Sequence, residues 1–133
     1  MKNYDELYGL ADEARKKAYA PYSGITVGAA LLTKSGKVYT GANIENAAFS
    51  PSVCAERVAF FDAIHSGERD FLAIAVAGGD EGKEPKEIFS PCGVCRQVMA
   101  EFCGGDLKII FGKDREATLA ELLPYGFSGD DIK

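Results

Sequence analysis

Three cysteines lie at the predicted starts of two helices, and no other feature of the sequence constrains the fold as strongly. Cys54 opens the predicted helix 54–65, while Cys92 and Cys95 belong to the predicted helix 91–102. The exposed N–H groups and the dipole of a helix N-terminus favour thiolate over thiol, so both starts suit a cluster of sulfurs. The three thiols can meet only if the two helices lie side by side.

Hydrophobic periodicity and turn residues predict the remaining elements. Apolar side chains spaced by three and four residues indicate an amphipathic helix, and short apolar runs bounded by glycine indicate strands. These patterns predict a helix 4–18, a hairpin of strands 26–33 and 37–43, strands 71–77 and 107–111, and a short helix that follows the capping box 118–121 and ends at Pro124. The order of elements predicts an α/β fold, a three-layer α/β/α sandwich with one mixed β-sheet, and residues 1–133 are expected to form a single domain.

Charge and composition argue against several classes of partner. An acidic chain with a net charge of -5 does not suit nucleic acid, because phosphate binding relies on clustered Lys and Arg. The first ten residues carry acidic groups where a secretion signal has basic ones, and no apolar run approaches the roughly 20 residues that span a bilayer. We therefore expect a cytoplasmic protein with a small-molecule ligand. In that reducing compartment, cysteines are more often metal ligands, catalytic groups or core residues than disulfide partners.

The cysteine spacing points to a metal, although the CxxC pair alone does not decide this. Two cysteines three positions apart also fit a redox dithiol or two small core residues. The third thiol, on Cys54, strengthens the case for zinc, which holds sulfurs roughly 3.8 Å apart in tetrahedral geometry. A fourth protein ligand would have to be His65 or Cys103, which lie about 16 Å and about 12 Å along their helices from the cluster. We predict a zinc ion with three protein ligands and an open fourth position, as catalytic sites have.

Glu56 and Arg57 follow the first cysteine closely and are candidates for chemistry beside the metal. Residues two apart in a helix point about 200° away from each other, so Cys54 and Glu56 can share a site only in the first turn. The alternative is a solvated acid favoured by the helix dipole. Arg57 lies three residues from Cys54 and could donate hydrogen bonds that offset the negative charge of the sulfurs. A surface arginine is an equally good interpretation of Arg57.

These residues resemble the small cytidine deaminases, and the likeness extends over nearly the whole chain. The segments that carry it are APYS (20–23), VGAA (27–30), GANIENA (41–47), CAER (54–57) and PCGVCRQ (91–97). The resemblance implies a cytidine deaminase-like fold and hydrolytic attack at C4 of cytosine, with Glu56 carrying protons to the ring and to the departing amine. It also implies that Cys54, Cys92 and Cys95 hold one zinc ion per subunit.

The same resemblance implies contacts to the substrate and to neighbouring subunits. Asn43 and Glu45 are expected to hold the ribose hydroxyls, and the backbone of Ala55 to contact the pyrimidine. Phe127 matches a position that reaches a neighbouring subunit's active site, which implies a homotetramer. On chemistry alone, Asn43 and Glu45 could be the polar end of a hairpin, and Phe127 could simply pin the tail to its own domain.

Two positions depart from the family pattern. Ile25 stands where the family usually has a phenylalanine against the substrate, and Phe49 stands where a tyrosine is common. Loss of an aromatic face removes about 0.5–1.5 kcal/mol of stacking, so we expect weaker or altered nucleoside affinity. Loss of the tyrosine hydroxyl removes one hydrogen bond.

Several functions compete at this point. The first is deamination of free cytidine and deoxycytidine in pyrimidine salvage, which the acidic composition and the ribose-binding segment favour. A related aminohydrolase acting on a cytosine-containing antibiotic such as blasticidin S shares the metal motif, and Ile25 keeps it open. A non-catalytic zinc-binding module that binds a partner, and a CxxC redox protein without zinc, are the alternatives from other classes.

Overall fold

The computed structural model describes residues 4–133, and in that range the chain forms helices and strands in a mixed order. In chain order they are α1 (Tyr4–Ala14), β1 (Ile25–Thr33), β2 (Val38–Ala42), α2 (Ala55–His65), β3 (Phe71–Asp80), α3 (Gly93–Phe102), β4 (Lys108–Gly112), β5 (Arg115–Thr118) and α4 (Leu119–Leu122). Short 3-10 helices cover Arg15–Lys17 and Gly129–Asp131. None of the helices in residues 4–133 has the length and apolar character needed to cross a membrane.

The strands form one mixed sheet in the order β2-β1-β3-β4-β5. β1 runs antiparallel to both β2 and β3, whereas β3 and β4 are parallel. A parallel pair needs a crossover connection, and α3 supplies it by carrying the chain back along the sheet. The start of α3 therefore lies at the end of the sheet where β3 finishes.

Helices cover both faces of the sheet, because successive side chains of β3 alternate between two apolar clusters. On one face, Ile74 packs in a cluster with Phe60 of α2 and Met99 of α3. On the other face, Ala75 packs in a cluster with Leu7 of α1. The predicted three-layer α/β/α sandwich with one mixed sheet is confirmed.

The first helix ends earlier than its periodicity predicts. α1 stops at Ala14, and a 3-10 turn follows. Arg15 is buried there, and its guanidinium donates to the backbone carbonyls of Thr26 at 3.0 Å and Asp80 at 3.1 Å. These bonds hold the end of the helix against β1 and β3. The spacing of apolar residues does not distinguish an α-helix from a tighter 3-10 turn. It also does not reveal long-range hydrogen bonds of this kind.

One edge strand is absent from the sequence-based prediction. β5 pairs antiparallel with β4, and Asp114 in the turn between them has a φ of 59°. β5 has four residues, Arg115–Thr118, and none of them is fully buried. Alternation over so short and polar a segment is too weak to indicate a strand, so pairing with β4 decides its conformation.

Gly41 of β2 allows α2 to approach the sheet closely. A Cβ at this position would overlap the carbonyl oxygen of Ala55 and lie 2.6 Å from the backbone nitrogen of Ala59. Glycine is therefore required where the strand and the helix backbone touch. This contact sets the position of Cys54, the N-cap residue of α2.

Candidate metal centre and active site

The thiols of Cys54, Cys92 and Cys95 converge where the starts of α2 and α3 meet. The Sγ atoms of Cys54 and Cys92 are 3.7 Å apart, and those of Cys92 and Cys95 are 3.4 Å apart. All three atoms lie within 4.8 Å of one another. These separations are close to the roughly 3.8 Å expected between sulfurs around tetrahedral zinc. The predicted convergence of two helix starts on one site is confirmed.

Local backbone geometry positions the thiols. Cys54 and Cys92 are the N-cap residues of α2 and α3, and both have extended backbone. The Sγ atom of Cys92 accepts a hydrogen bond from the backbone N–H of Cys95 at 3.5 Å. Before α2, Val53 and Ile44 exchange two backbone hydrogen bonds of 2.9 and 3.0 Å. This pair anchors the loop that leads into the first ligand.

The cluster stabilises negative charge on sulfur. A hydrogen bond with Cys95 lowers the pKa of Cys54 to about 5 against the opposing effect of burial, and Arg57 lowers it further. The same hydrogen bond to Cys54, together with burial, raises the pKa of Cys95. The contact between the two thiols thus favours the thiolate form of Cys54 over that of Cys95. A cation with thiolate ligands needs such a site, because the thiols lose their protons when the metal binds.

The donor set fits a zinc ion with three protein ligands. Within residues 4–133, these cysteines form the group of His, Cys, Asp and Glu side chains that could hold a metal ion together. His65 and Cys103 do not join them, which agrees with their predicted distance along the helices. Burial instead raises the pKa of Cys103 to about 12, as for a thiol in the core. Thiolate ligands select soft metals such as zinc. Three thiolates fill three of the four tetrahedral positions and leave the fourth for a water molecule or a substrate.

Glu56 lies in the first turn of α2, as the shared site requires. Its side chain is 4% exposed and lines the same cavity as Cys54 and Cys92. Burial raises the pKa of Glu56 to about 7, and the charge of Cys54 acts in the same direction. The residue is therefore not a solvated surface acid. Its carboxyl group can bind and release a proton near neutral pH, as general acid–base catalysis needs.

Arg57 lies against the sulfur cluster. Its Nη2 atom donates a hydrogen bond to the Sγ atom of Cys54 at 3.4 Å. Its Nε atom is buried and finds no hydrogen-bond partner among the described residues. The hydrogen bond to Cys54 also raises the pKa of the guanidinium. A surface arginine would have none of these properties, so the geometry favours the other interpretation, an arginine that offsets thiolate charge.

The thiols of Cys54 and Cys92 and the carboxyl group of Glu56 line a cavity of about 700 Å³. Small-molecule sites commonly have volumes of about 300–1,000 Å³. Sequence reasoning missed seven lining residues, which are Val27, Ser50, Ser52, Val53, Phe89, Ser90 and Val94. Phe89 carried a usable signal, because it is the aromatic residue of a largely polar segment before Pro91, much as Phe127 is in the tail.

Asn43 and Glu45 line the cavity and also hold the surrounding backbone. The side-chain amide of Asn43 accepts from the N–H of Val27 at 2.8 Å and donates to the carbonyl of Ile25 at 2.9 Å. The carboxylate of Glu45 accepts from two backbone N–H groups, those of Tyr22 at 2.9 Å and Ser23 at 3.1 Å, and from the Ser23 hydroxyl. The Ser23 hydroxyl is the main cause of a lowered pKa for Glu45. These anchoring contacts were not predicted.

The remaining residues singled out in the sequence lie around this cavity or outside it. Ala55 is fully buried as the first residue of α2, and Ile25 is a partly buried residue at the start of β1 that packs against the core. Phe49 lines the cavity with a φ of 61°, and its ring meets Tyr22 edge-on at 6.5 Å. Phe127 is 56% exposed, and its carbonyl accepts a hydrogen bond from Gln97 outside the cavity.

Convergent thiols, a buried carboxyl group and a cavity on an α/β/α fold define a site for metal-dependent hydrolytic chemistry. A family model described as the cytidine and deoxycytidylate deaminase zinc-binding region matches residues 1–113. The chain therefore belongs to the cytidine and deoxycytidylate deaminase family. This agrees with the predicted zinc site, since the matched range contains Cys54, Cys92 and Cys95.

Similarity to individual proteins extends over almost the full chain. The cytidine deaminase of Sporosarcina psychrophila is 47% identical over 132 residues, which cover 96% of this chain and 93% of that protein. The crystal structure of cytidine deaminase from Burkholderia pseudomallei has a TM-score of 0.84 and 43% identity, covering 94% of this chain and 99% of that chain. The blasticidin-S deaminase of Bacillus cereus is 32% identical over 107 residues, or 77% of this chain and 76% of that protein. The predicted fold and family are confirmed.

Proposed function

We propose that the protein deaminates free cytidine and deoxycytidine by hydrolysis, giving uridine or deoxyuridine and ammonia in pyrimidine salvage. The observation that carries this proposal is the buried carboxyl group of Glu56, which shares a cavity with the three-thiol zinc site. A binding module would have no use for a buried acid whose pKa is near 7. Substrate identity follows from the cytidine deaminases that the chain resembles at 43% and 47% identity.

Cys54, Cys92 and Cys95 would hold the zinc ion, and Glu56 would move the protons. The zinc ion supplies Lewis-acid activation of a water molecule when it is bound. Glu56 takes one proton from the attacking water and delivers it to N3 of the cytosine ring. It then takes the second proton from the hydroxyl group formed at C4 and passes it to the amine, which leaves as ammonia while C4 becomes a carbonyl. A pKa near 7 suits both steps, because the carboxyl group must accept and release a proton at the same pH.

Arg57 is proposed to offset the charge of the sulfurs. Three thiolates outweigh the two positive charges of zinc by one, and excess thiolate charge would weaken the activation of water. The hydrogen bond from Arg57 to Cys54 withdraws part of that charge. The guanidinium suits this role because it stays protonated and donates in a fixed geometry.

Asn43 and Glu45 are proposed to bind the ribose hydroxyls, and the backbone of Ala55 to contact the pyrimidine. The hydrogen-bond inventory supports this for the two side chains. A carboxylate has about four lone-pair sites, and Glu45 uses three of them on Tyr22 and Ser23. Asn43 uses one N–H and one acceptor site, which leaves a second of each. Each side chain keeps capacity for a hydroxyl group on the cavity side.

The assembly is proposed to be a cytoplasmic homotetramer in which Phe127 of one subunit completes the active site of another. The exposed ring of Phe127, outside the cavity of its own chain, supports this assignment over a role in pinning the tail. Size-exclusion chromatography with light scattering tests the tetramer. Phe127→Ala is expected to weaken cytidine binding, and retention of full affinity would contradict the intersubunit role.

The central experiment measures zinc content and loss of the cytosine absorbance on the same purified protein, with cytidine, deoxycytidine and blasticidin S as substrates. Glu56→Gln is expected to keep its zinc and its fold and to lose nearly all turnover. Glu101→Gln on the exposed side of α3 is the matched control and is expected to match the native enzyme. Full activity of Glu56→Gln would refute the mechanism, and turnover of blasticidin S alone would favour the antibiotic deaminase.

A further inference from the structure

Phe89 is an aromatic residue that lines the cavity and lies close in sequence to the zinc-binding cysteines of α3. It precedes Cys92 by three residues and lines the same cavity as Cys92 and Glu56. The ring is partly buried, and it packs against the core cluster beneath α2 and α3. Its backbone N–H donates to the carbonyl of Phe111 on β4 at 2.8 Å. Both the backbone and the ring are therefore anchored.

Gly78 of β3 provides the space that the ring occupies. A Cβ at position 78 would lie 2.7 Å from three atoms of the Phe89 ring, Cγ, Cδ1 and Cδ2. Gly78 has an ordinary φ, so its freedom of backbone conformation is not what the position needs. The missing side chain is the relevant property, since it lets the ring rest directly on the strand. This contact limits the positions that the ring can take in the cavity.

Other aromatic side chains do not supply a comparable surface to the cavity. Phe49 also lines it but is 73% exposed and pairs edge-on with Tyr22 at its rim. Ile25, where an aromatic residue was expected, has no ring and lies against the core. None of the ring pairs formed within residues 4–133 includes Phe89. Phe89 is partly buried and lines the cavity, so the accessible part of the residue can meet a ligand there.

We propose that Phe89, seated on Gly78, packs against the pyrimidine ring and sets its position relative to Glu56. The inference rests on the proposed deamination of cytosine nucleosides and adds a specificity-determining residue to it. A phenylalanine has only two side-chain torsions, so an anchored ring offers a flat surface at little cost in conformational entropy. Phe89 thereby takes over in this chain the stacking that Ile25 cannot provide.

The test measures cytidine binding by calorimetry in the Glu56→Gln background, where turnover does not consume the ligand. Phe89→Leu is expected to raise the Kd for cytidine by about 2- to 12-fold, the range for loss of one aromatic contact. In the otherwise native enzyme, the same substitution should raise KM more than it lowers kcat, because stacking acts on bound substrate and transition state alike. Ile88→Ala is the matched control, since Ile88 is exposed beside Phe89 and outside the cavity lining.

A second variant tests whether Gly78 positions the ring of Phe89. Gly78→Ala is expected to raise the Kd for cytidine because the new Cβ displaces the ring, and combining it with Phe89→Leu should cost less than the sum of the two single changes. Unchanged affinity in Phe89→Leu, with zinc and melting temperature intact, would overturn the inference. Phe89→Met replaces Phe89→Leu if the latter loses its zinc or fold, and the same criterion applies.

The two proposals fail in different ways. A native enzyme that does not deaminate cytidine removes the proposed function and this inference with it. A native enzyme that deaminates cytidine, with Phe89 variants that bind it normally, removes this inference alone.

Discussion

The guanidinium of Arg57 donates a hydrogen bond from Nη2 to the Sγ atom of Cys54 at 3.4 Å, within a single turn at the start of α2. The spacing of three residues makes this contact possible in any helix that begins at Cys54. It becomes useful only because α3 brings two further thiols to the same point. The contact between Arg57 and Cys54 is local, but it can affect a metal site only because α2 and α3 pack together.

Replacing Arg57 by Gln should weaken the metal site without unfolding the protein. Loss of partners around metal ligands typically costs about 10- to 100-fold in metal affinity or activity, because ligand charge is no longer offset. We expect kcat for cytidine to fall within that range at saturating zinc. Steady-state kinetics with parallel zinc analysis tests this. Arg69→Gln is the control, since Arg69 donates to the backbone carbonyls of Ile64 and Glu68, at the end of α2 away from Cys54. Equal kinetics in both variants would contradict the role of Arg57.

The contact between Glu45 and Ser23 should stabilise the folded protein near neutral pH, and this contribution should be lost in acid. The hydrogen bond from the Ser23 hydroxyl lowers the pKa of Glu45 in the folded state below its ordinary value. A lowered pKa in the folded state contributes stability above the unfolded pKa of about 4.3, and this contribution is lost as the pH falls through the folded pKa. Ser23→Ala is expected to raise the pKa of Glu45. Carboxyl carbon-13 NMR titration measures it directly, and an unshifted titration in the variant would show that the hydroxyl has no such effect.

Among the aromatic residues of the core, truncation of Phe60 should cause the largest loss of stability. It is fully buried on α2, and its ring contacts Phe71 at 5.1 Å and Phe102 at 6.2 Å. Phe60→Ala is expected to lower the free energy of unfolding by about 3–5 kcal/mol. Its neighbour Phe61 is 49% exposed, and Phe61→Ala is expected to cost about 1 kcal/mol or less. Urea denaturation of both variants tests the contrast, and equal losses would show that Phe60 is not the central packing residue.

Gly41→Ala should disturb the zinc site from outside it. The added Cβ meets the backbone of α2 at Ala55 and Ala59, so the helix must move or the strand must bend. We expect a loss of about 1–3 kcal/mol in stability and a lower zinc affinity, because Cys54 moves with the helix. Gly9→Ala on α1 is the matched control, since a Cβ there meets nothing within 4 Å and should stabilise the helix by about 0.4–1 kcal/mol. Zinc competition with a coloured chelator measures the affinity; normal zinc affinity in Gly41→Ala would show that the helix start does not depend on this contact.

The sequence by itself determined the three-thiol cluster, the acid beside it and the order of the elements other than β5. Cys54, Cys92 and Cys95 stand at helix starts, and Glu56 can join Cys54 only in a first turn. These inferences depend on interactions within about four residues along the chain, for which spacing is a direct guide. The layered fold followed as well, since apolar periodicity marks the buried face of each helix and strand.

Only the tertiary structure decided how distant segments meet. The strand β5 exists because β4 pairs with it, and α1 ends where Arg15 reaches the carbonyls of β1 and β3. The place of Phe89 in the cavity depends on the absence of a side chain at Gly78, eleven residues earlier on another element. Asn43 and Glu45 likewise hold backbone that lies far from them along the chain. Such contacts depend on strand register and helix packing together, so no pattern of neighbouring residues records them.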